Sequence, residues 1–152
     1  MNRRGFVAVV VGMILALGVA FQAGAPIVGT AQAAQTVRLA SGQFGGWIDA
    51  IHRAEGHASV YRLNDGSRVL RLENFKSTNG PNLYVYLSGD ASPRNSAQLH
   101  ENGDFEVGRL KGNIGNQNYA LPASVDLSKF KSVVIYCKQF HVVFGSAELA
   151  QN

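Results

Sequence analysis

The single cysteine of the chain, Cys137, lies in the apolar stretch SVVIYCKQFHVVFG and is followed four residues later by His141. A thiolate and an imidazole are ligands of small copper electron-transfer sites, which add a second histidine and a weak axial ligand. His52 or His57 could supply that second imidazole. The residue types therefore allow a metal or redox centre at Cys137, although one cysteine and one histidine make a weak motif.

The strand pattern around Cys137 favours a different role for the same thiol. Alternation places Val133, Ile135 and Cys137 on one face of a predicted strand, with Val134 and Tyr136 on the other face. A free cysteine among branched aliphatic residues packs as a small hydrophobe, and a thiol in buried apolar surroundings is unreactive. Core packing is therefore the alternative to redox chemistry.

Other signatures of catalysis are missing from the sequence. There is no Gly-x-Ser-x-Gly elbow, phosphate-binding loop or dinucleotide fingerprint. The acidic residues do not form catalytic pairs, and the histidines show no zinc-site spacing with the cysteine. We therefore expect a domain that is not an enzyme.

Residues 1–33 have the pattern of an export signal. Two arginines precede an uncharged apolar run at residues 5–21, and residues 31–33 read Ala-Gln-Ala, a cleavage site of small residues. The run is longer than the core of a usual signal peptide and shorter than the ~20 residues of a bilayer span. A cleaved signal peptide and an N-terminal membrane anchor both fit. Both predict a domain outside the cytoplasm, either periplasmic, secreted or anchored.

The charge and the cysteine count of the exported part limit its partners. Without Arg3 and Arg4, 12 of the 14 basic residues remain against 10 acidic ones. They are scattered, so no nucleic-acid partner is expected, and membrane contact is expected only through residues 1–33. A lone thiol in an oxidising compartment must be buried, bound to a metal or cofactor, or paired with another molecule.

The exported part is predicted to be all-β. Residues 34–43 are polar and glycine-containing and predict a linker, and the domain is expected to span residues 44–150. Strands are predicted at 44–48, 58–63, 68–73, 82–88, 104–110, 132–137 and 140–148. Residues 64–67, with Asp-Gly at their centre, predict a hairpin turn. Residues 89–102 and 111–119 predict loops. Many short strands and no helical stripe indicate an antiparallel β-sandwich or barrel.

Taken in order, several stretches resemble the DM-thirteen domain, an electron-transfer module that accompanies DOMON-type haem-binding or sugar-binding modules. In the first half these are HRAEG at 52–56, LRLENF at 70–75 and NGPNLYVYL at 79–87. The second half matches more closely, with GRLKGN at 108–113, GNQNY at 115–119, DLS at 126–128 and VVIYC at 133–137. The resemblance spans residues 44–149 and indicates a small exported member of bacterial type.

The resemblance implies an extracytoplasmic all-β domain whose cysteine, here Cys137, works in redox chemistry. His52 also matches a family position, whereas His141 falls where the family more often has a small polar residue. Cys137 and His52 are therefore the first candidates for a redox or ligand site, and His141 is a weaker one. The cofactor is left open between a metal ion, haem and none, and the partner between a redox protein and a cell-surface protein. The rival interpretation is a binding or structural β-sandwich in which Cys137 only packs.

Overall fold

The computed structural model of the protein describes residues 35–152, so the predicted export signal at residues 1–33 lies outside the described residues. The described chain forms two antiparallel sheets. The first sheet contains β1 (Val37–Gln43), β2 (Gly46–Trp47), β3 (Arg53–Arg62), β4 (Arg68–Ser77), β7 (Gln117–Leu121) and β10 (Ala150–Gln151), in the order β10-β1-β3-β4-β7 with β2 paired to β3. The second contains β5 (Leu83–Ser88), β6 (Asp104–Arg109), β8 (Ser132–Cys137) and β9 (Val142–Glu148), in the order β6-β5-β8-β9.

The main hydrophobic core includes side chains from both sheets. Its fully buried members include Val60 and Leu70 of the first sheet and Val85, Ile135 and Cys137 of the second. Side chains alternate between the two faces of a strand, so every second residue of these strands reaches this core. The predicted all-β sandwich is confirmed.

The turn between β3 and β4 is the one that the sequence predicts. The backbone N–H groups of Leu63 and Gly66 donate to the carbonyls of Ser67 and Leu63, at 2.8 and 2.9 Å. Gly66 has a φ of 84°, in the left-handed region that glycine adopts without steric cost. The Asp-Gly pair therefore sets the register of the two longest strands.

The predicted linker at residues 34–43 requires a correction, because Val37–Gln43 is a strand. This strand pairs with β3 on one side and β10 on the other, and its Ala40 is buried. At Gly42 an added Cβ would lie 2.0 Å from the carbonyl oxygen of Glu148. The glycine that suggests a linker is thus required by a close approach of two backbones.

The outer face of the second sheet is also covered, which the sequence does not reveal. A short helix, α1 (Ser96–Glu101), lies within the predicted loop at 89–102, and its Leu99 joins a second cluster formed by Tyr86, Val134, Tyr136 and Val143. Asn95 caps the helix by accepting a hydrogen bond from the backbone N–H of Gln98. Six residues are too few to show a helical stripe in the sequence.

Within residues 35–152, no helix is both long enough and apolar enough to span a membrane.

Candidate functional site

Cys137 is the last residue of β8 and lies inside the main core. Leu83 of β5 and Val142 of β9 stand opposite it in the two neighbouring strands. The residue is 0% exposed, and its thiol is free. As predicted from the alternation, its side chain shares the core with Val133 and Ile135. A partner protein therefore cannot touch the sulfur unless the end of β8 opens.

His52 lies directly before β3 and is fixed by a carboxylate and an aromatic ring. Its Nδ1 is 2.6 Å from Oδ2 of Asp49, and its ring centroid is 4.5 Å from that of Phe144. Asp49 also accepts the backbone N–H groups of Ile51 and His52, each at 2.8 Å. The hydrogen bond from His52, followed by these two backbone bonds, lowers the pKa of Asp49 to about 2. Phe144 belongs to the core that contains Cys137, so His52 packs against a member of that core.

His141 lies on the outer face of the second sheet, opposite to the face that carries Cys137. It is exposed in the turn between β8 and β9, and its Nδ1 is 3.1 Å from the hydroxyl of Tyr136. Tyr136 packs in the outer cluster, whereas Cys137 packs in the main core. The structure therefore does not bring His141 and Cys137 together as a pair of ligands.

The donor groups around Cys137 do not fit a metal centre. Within residues 35–152, no three His, Cys, Asp or Glu side chains are grouped so that they could hold a metal ion. The residues opposite the cysteine are aliphatic and supply no further ligand. Histidine and cysteine sites for copper or zinc need three or four ligands in contact with the ion.

Sequence reasoning misses a group of aromatic residues that lies on the outer face of the second sheet. We call Tyr86, Tyr136, His100 and His141 the tyrosine–histidine cluster. The ring of Tyr136 is 5.7 Å from those of Tyr86 and His100 and 6.5 Å from that of His141, each nearly edge-on or tilted. The alternation of β5 and β8 could have placed the two tyrosines on outward faces. Nothing in the sequence indicates that two loop histidines join them.

Polar partners fix both phenols of this cluster. The hydroxyl of Tyr86 donates to Oε2 of Glu106 at 2.8 Å, and Nζ of Lys138 donates to the same oxygen at 2.7 Å. Burial, and then the hydrogen bond to Glu106, raise the pKa of Tyr86. The bond from Lys138, and then that from Tyr86, lower the pKa of Glu106. The hydroxyl of Tyr136 lies 2.7 Å from Oγ of Ser96 at the start of α1.

A second surface feature is a groove beside β2, with a volume of about 210 Å³. It is lined by Trp47, Arg53, Glu55, Lys76, Ser77 and Thr78. Trp47 is 51% exposed, and the guanidinium of Arg53 lies 5.0 Å from the centre of its ring. An exposed indole beside charged and hydroxyl side chains suits a small polar ligand or a peptide side chain.

The model of the family described as Electron transfer DM13 matches residues 47–149. The chain belongs to the DM13 family. The matched range contains Cys137, His52 and His141 as well as the tyrosine–histidine cluster. No curated protein and no solved structure matches the chain. Membership of a DM13 family described by electron transfer supports a redox or electron-transfer role.

Proposed function

We propose that this DM13 domain is an exported, non-catalytic electron-transfer domain in which Cys137 is the redox-active group. The observation that carries the proposal is the family match, which is described by electron transfer and covers the only thiol of the chain. Any thiol chemistry of the domain must therefore take place at Cys137.

The burial of the thiol limits how it can react. Thiol–disulfide exchange requires an attacking thiolate to reach the sulfur, and access controls the rate. Cys137 is enclosed by apolar side chains from both sheets, so a mixed disulfide with a partner requires β8 to open. We infer that β8 opens at its end, beside the turn 138–141 that joins β8 to β9, and that the Cys137 thiolate then attacks a disulfide. The S–S bond breaks, a mixed disulfide forms at Cys137, and the second sulfur leaves as a thiol.

Export is the second part of the proposal and has its own test. The basic start, the apolar run at 5–21 and the Ala-Gln-Ala site support it. We expect fractionated cells to contain the protein outside the cytoplasm, either beginning at Ala34 or as the full chain in the membrane fraction. Mass spectrometry of the N-terminus distinguishes these two forms. Full-length protein found only in the cytoplasm would contradict export.

A binding or structural module is the second candidate function. Two observations favour it: Cys137 occupies a fully buried apolar site, and the groove beside Trp47 offers a place for a ligand. In that case Cys137 only packs. Replacing it with alanine would then leave binding intact, whereas Trp47→Ala would weaken it.

Absorption spectra, metal analysis and reaction with a mild oxidant distinguish the two candidates. We expect the purified wild-type chain to show a reversible oxidative change that Cys137→Ala lacks. Val133→Ala is the matched control, because Val133 is equally buried on the same face of β8 and its loss leaves the thiol in place. A wild-type protein without a cofactor signal that is also unchanged by oxidant would contradict the redox proposal.

A further inference from the structure

The tyrosine–histidine cluster connects Tyr136, the residue before Cys137, with the protein surface. Tyr136 is 2% exposed, and the rings of His100 and Tyr86 lie 5.7 Å from its own. His100 and His141 are exposed, and they contact Tyr136 from two different elements, the helix α1 and the turn after β8. Aromatic rings at short distances therefore connect the buried Tyr136 with the solvent.

The hydroxyl of Tyr136 has the contacts that oxidation of a phenol requires. A phenol that loses an electron must also release its proton, and a base within about 2.6–3.2 Å can take it. Nδ1 of His141 lies 3.1 Å from the hydroxyl, and Oγ of Ser96 lies 2.7 Å from it. If the Ser96 hydroxyl donates to the phenol oxygen, the phenol donates to the imidazole. The proton would then leave through an exposed side chain.

Tyr86 has a different partner and is less suited to this step. Its hydroxyl donates to Glu106, and that carboxylate already accepts a hydrogen bond from Lys138. Both bonds lower the pKa of Glu106 and make it a weak proton acceptor. The geometry therefore distinguishes the two buried tyrosines: Tyr136 contacts an imidazole nitrogen, whereas Tyr86 contacts a carboxylate that is already paired with Lys138.

We propose that Tyr136 is a one-electron oxidation site of this protein, with His141 as its proton acceptor. The O–H bond of Tyr136 breaks, the proton binds to Nδ1 of His141, and the electron passes to a strong one-electron oxidant of the metal-centre class, such as a high-valent haem centre of a partner. A neutral tyrosyl radical remains, and the oxidant is reduced by one electron. The proposal rests on the electron-transfer role of the domain, but not on the redox activity of Cys137.

The test uses the full chain and a photogenerated ruthenium(III) tris-bipyridine complex as the oxidant. We expect electron paramagnetic resonance to show a tyrosyl radical, and we expect its formation to slow in D₂O. Tyr136→Phe should remove the fast phase of radical formation, whereas the matched variants Tyr86→Phe and Tyr61→Phe should retain it. A fast phase of wild-type size in Tyr136→Phe would overturn the assignment.

A second variant separates the chemistry from the packing, because Tyr136→Phe also removes the contact with Ser96. His141 has a φ of 56°, in the left-handed region that asparagine also tolerates. His141→Asn should therefore keep the turn, but it should slow radical formation at Tyr136 by about 100-fold or more, as loss of a positioned base commonly does. An unchanged rate and an unchanged solvent isotope effect would overturn the role of His141.

Cys137→Ala distinguishes this inference from the proposed function. If Tyr136 is the oxidation site, Cys137→Ala still forms the tyrosyl radical, even if the oxidative change assigned to Cys137 is lost. If the wild type forms no radical at Tyr136 while Cys137 responds reversibly to oxidant, this inference fails and the proposed function stands.

Discussion

Replacing Cys137 with alanine and with serine tests whether its site is a dry part of the core. The side chain is fully buried, and aliphatic residues stand opposite it on both neighbouring strands. Alanine removes one buried sulfur atom. Deleting one buried methyl group costs about 0.5–1.5 kcal/mol, and sulfur is at least as large, so we expect a loss of about 1.5 kcal/mol in the free energy of unfolding.

Serine should cost more than alanine, although it fills more of the space. Its hydroxyl would be buried among apolar groups, and an unsatisfied hydroxyl costs about 1–3 kcal/mol beyond the lost packing. For a domain of this size each kcal/mol lowers the melting temperature by roughly 4 °C. We therefore expect decreases of about 6 °C for Cys137→Ala and about 10 °C or more for Cys137→Ser.

Urea unfolding followed by circular dichroism, with a reductant present, measures both differences. The slope of the unfolding free energy against urea should be the same for the three proteins, since a changed slope indicates a changed native or unfolded ensemble. Serine equal to alanine, or more stable, would show that the thiol site is hydrated or hydrogen-bonded. The site of Cys137 would then not be a dry part of the core.

Two other predictions concern the loop before β3 and the contact between the sheets. Asp49 has its pKa lowered from 3.8 to about 2, mainly by the hydrogen bond from His52, so the loop should be stabilised above about pH 4 and lose this contribution as the pH falls through 2. A midpoint near 3.8 in an NMR titration of the Asp49 carboxyl would contradict the lowered pKa. At Gly145 an added Cβ would lie 2.4 Å from Cβ of Ala54, so Gly145→Ala should cost about 1–3 kcal/mol by overpacking. Gly45→Ala is the control, because nothing lies within 4 Å of its added Cβ. Equal melting temperatures of Gly145→Ala and Gly45→Ala would contradict overpacking at Gly145.

Features encoded over a few residues could be predicted from the sequence. Asp65 and Gly66 specify a hairpin turn by their backbone preferences, and the turn forms there. The alternation of Val133, Ile135 and Cys137 places all three on one face, and all three lie in the main core. Both predictions depend on local geometry, which the identity of neighbouring residues is enough to fix.

Features that depend on distant backbones could not be predicted in this way. Gly42 suggests a linker, but its lack of a side chain is required by the carbonyl of Glu148, far away in the chain. The sequence allows His141 and Cys137 to form a pair, but it does not show that the turn directs His141 toward Tyr136. The cluster of Tyr86 and Tyr136 with two histidines arises from strand register and from α1, which neither periodicity nor motif reveals.

A redox titration of the purified chain, wild type beside Cys137→Ala, tests the central claim most directly. Equilibration with glutathione buffers of increasing disulfide content, followed by mass spectrometry, gives the fraction of each protein that carries a mixed disulfide. We predict a reversible mixed disulfide in the wild type that is missing from Cys137→Ala and kept in Val133→Ala, the variant with comparable packing loss. Identical titrations of the wild type and Cys137→Ala would contradict the claim that Cys137 is the redox-active group of this domain.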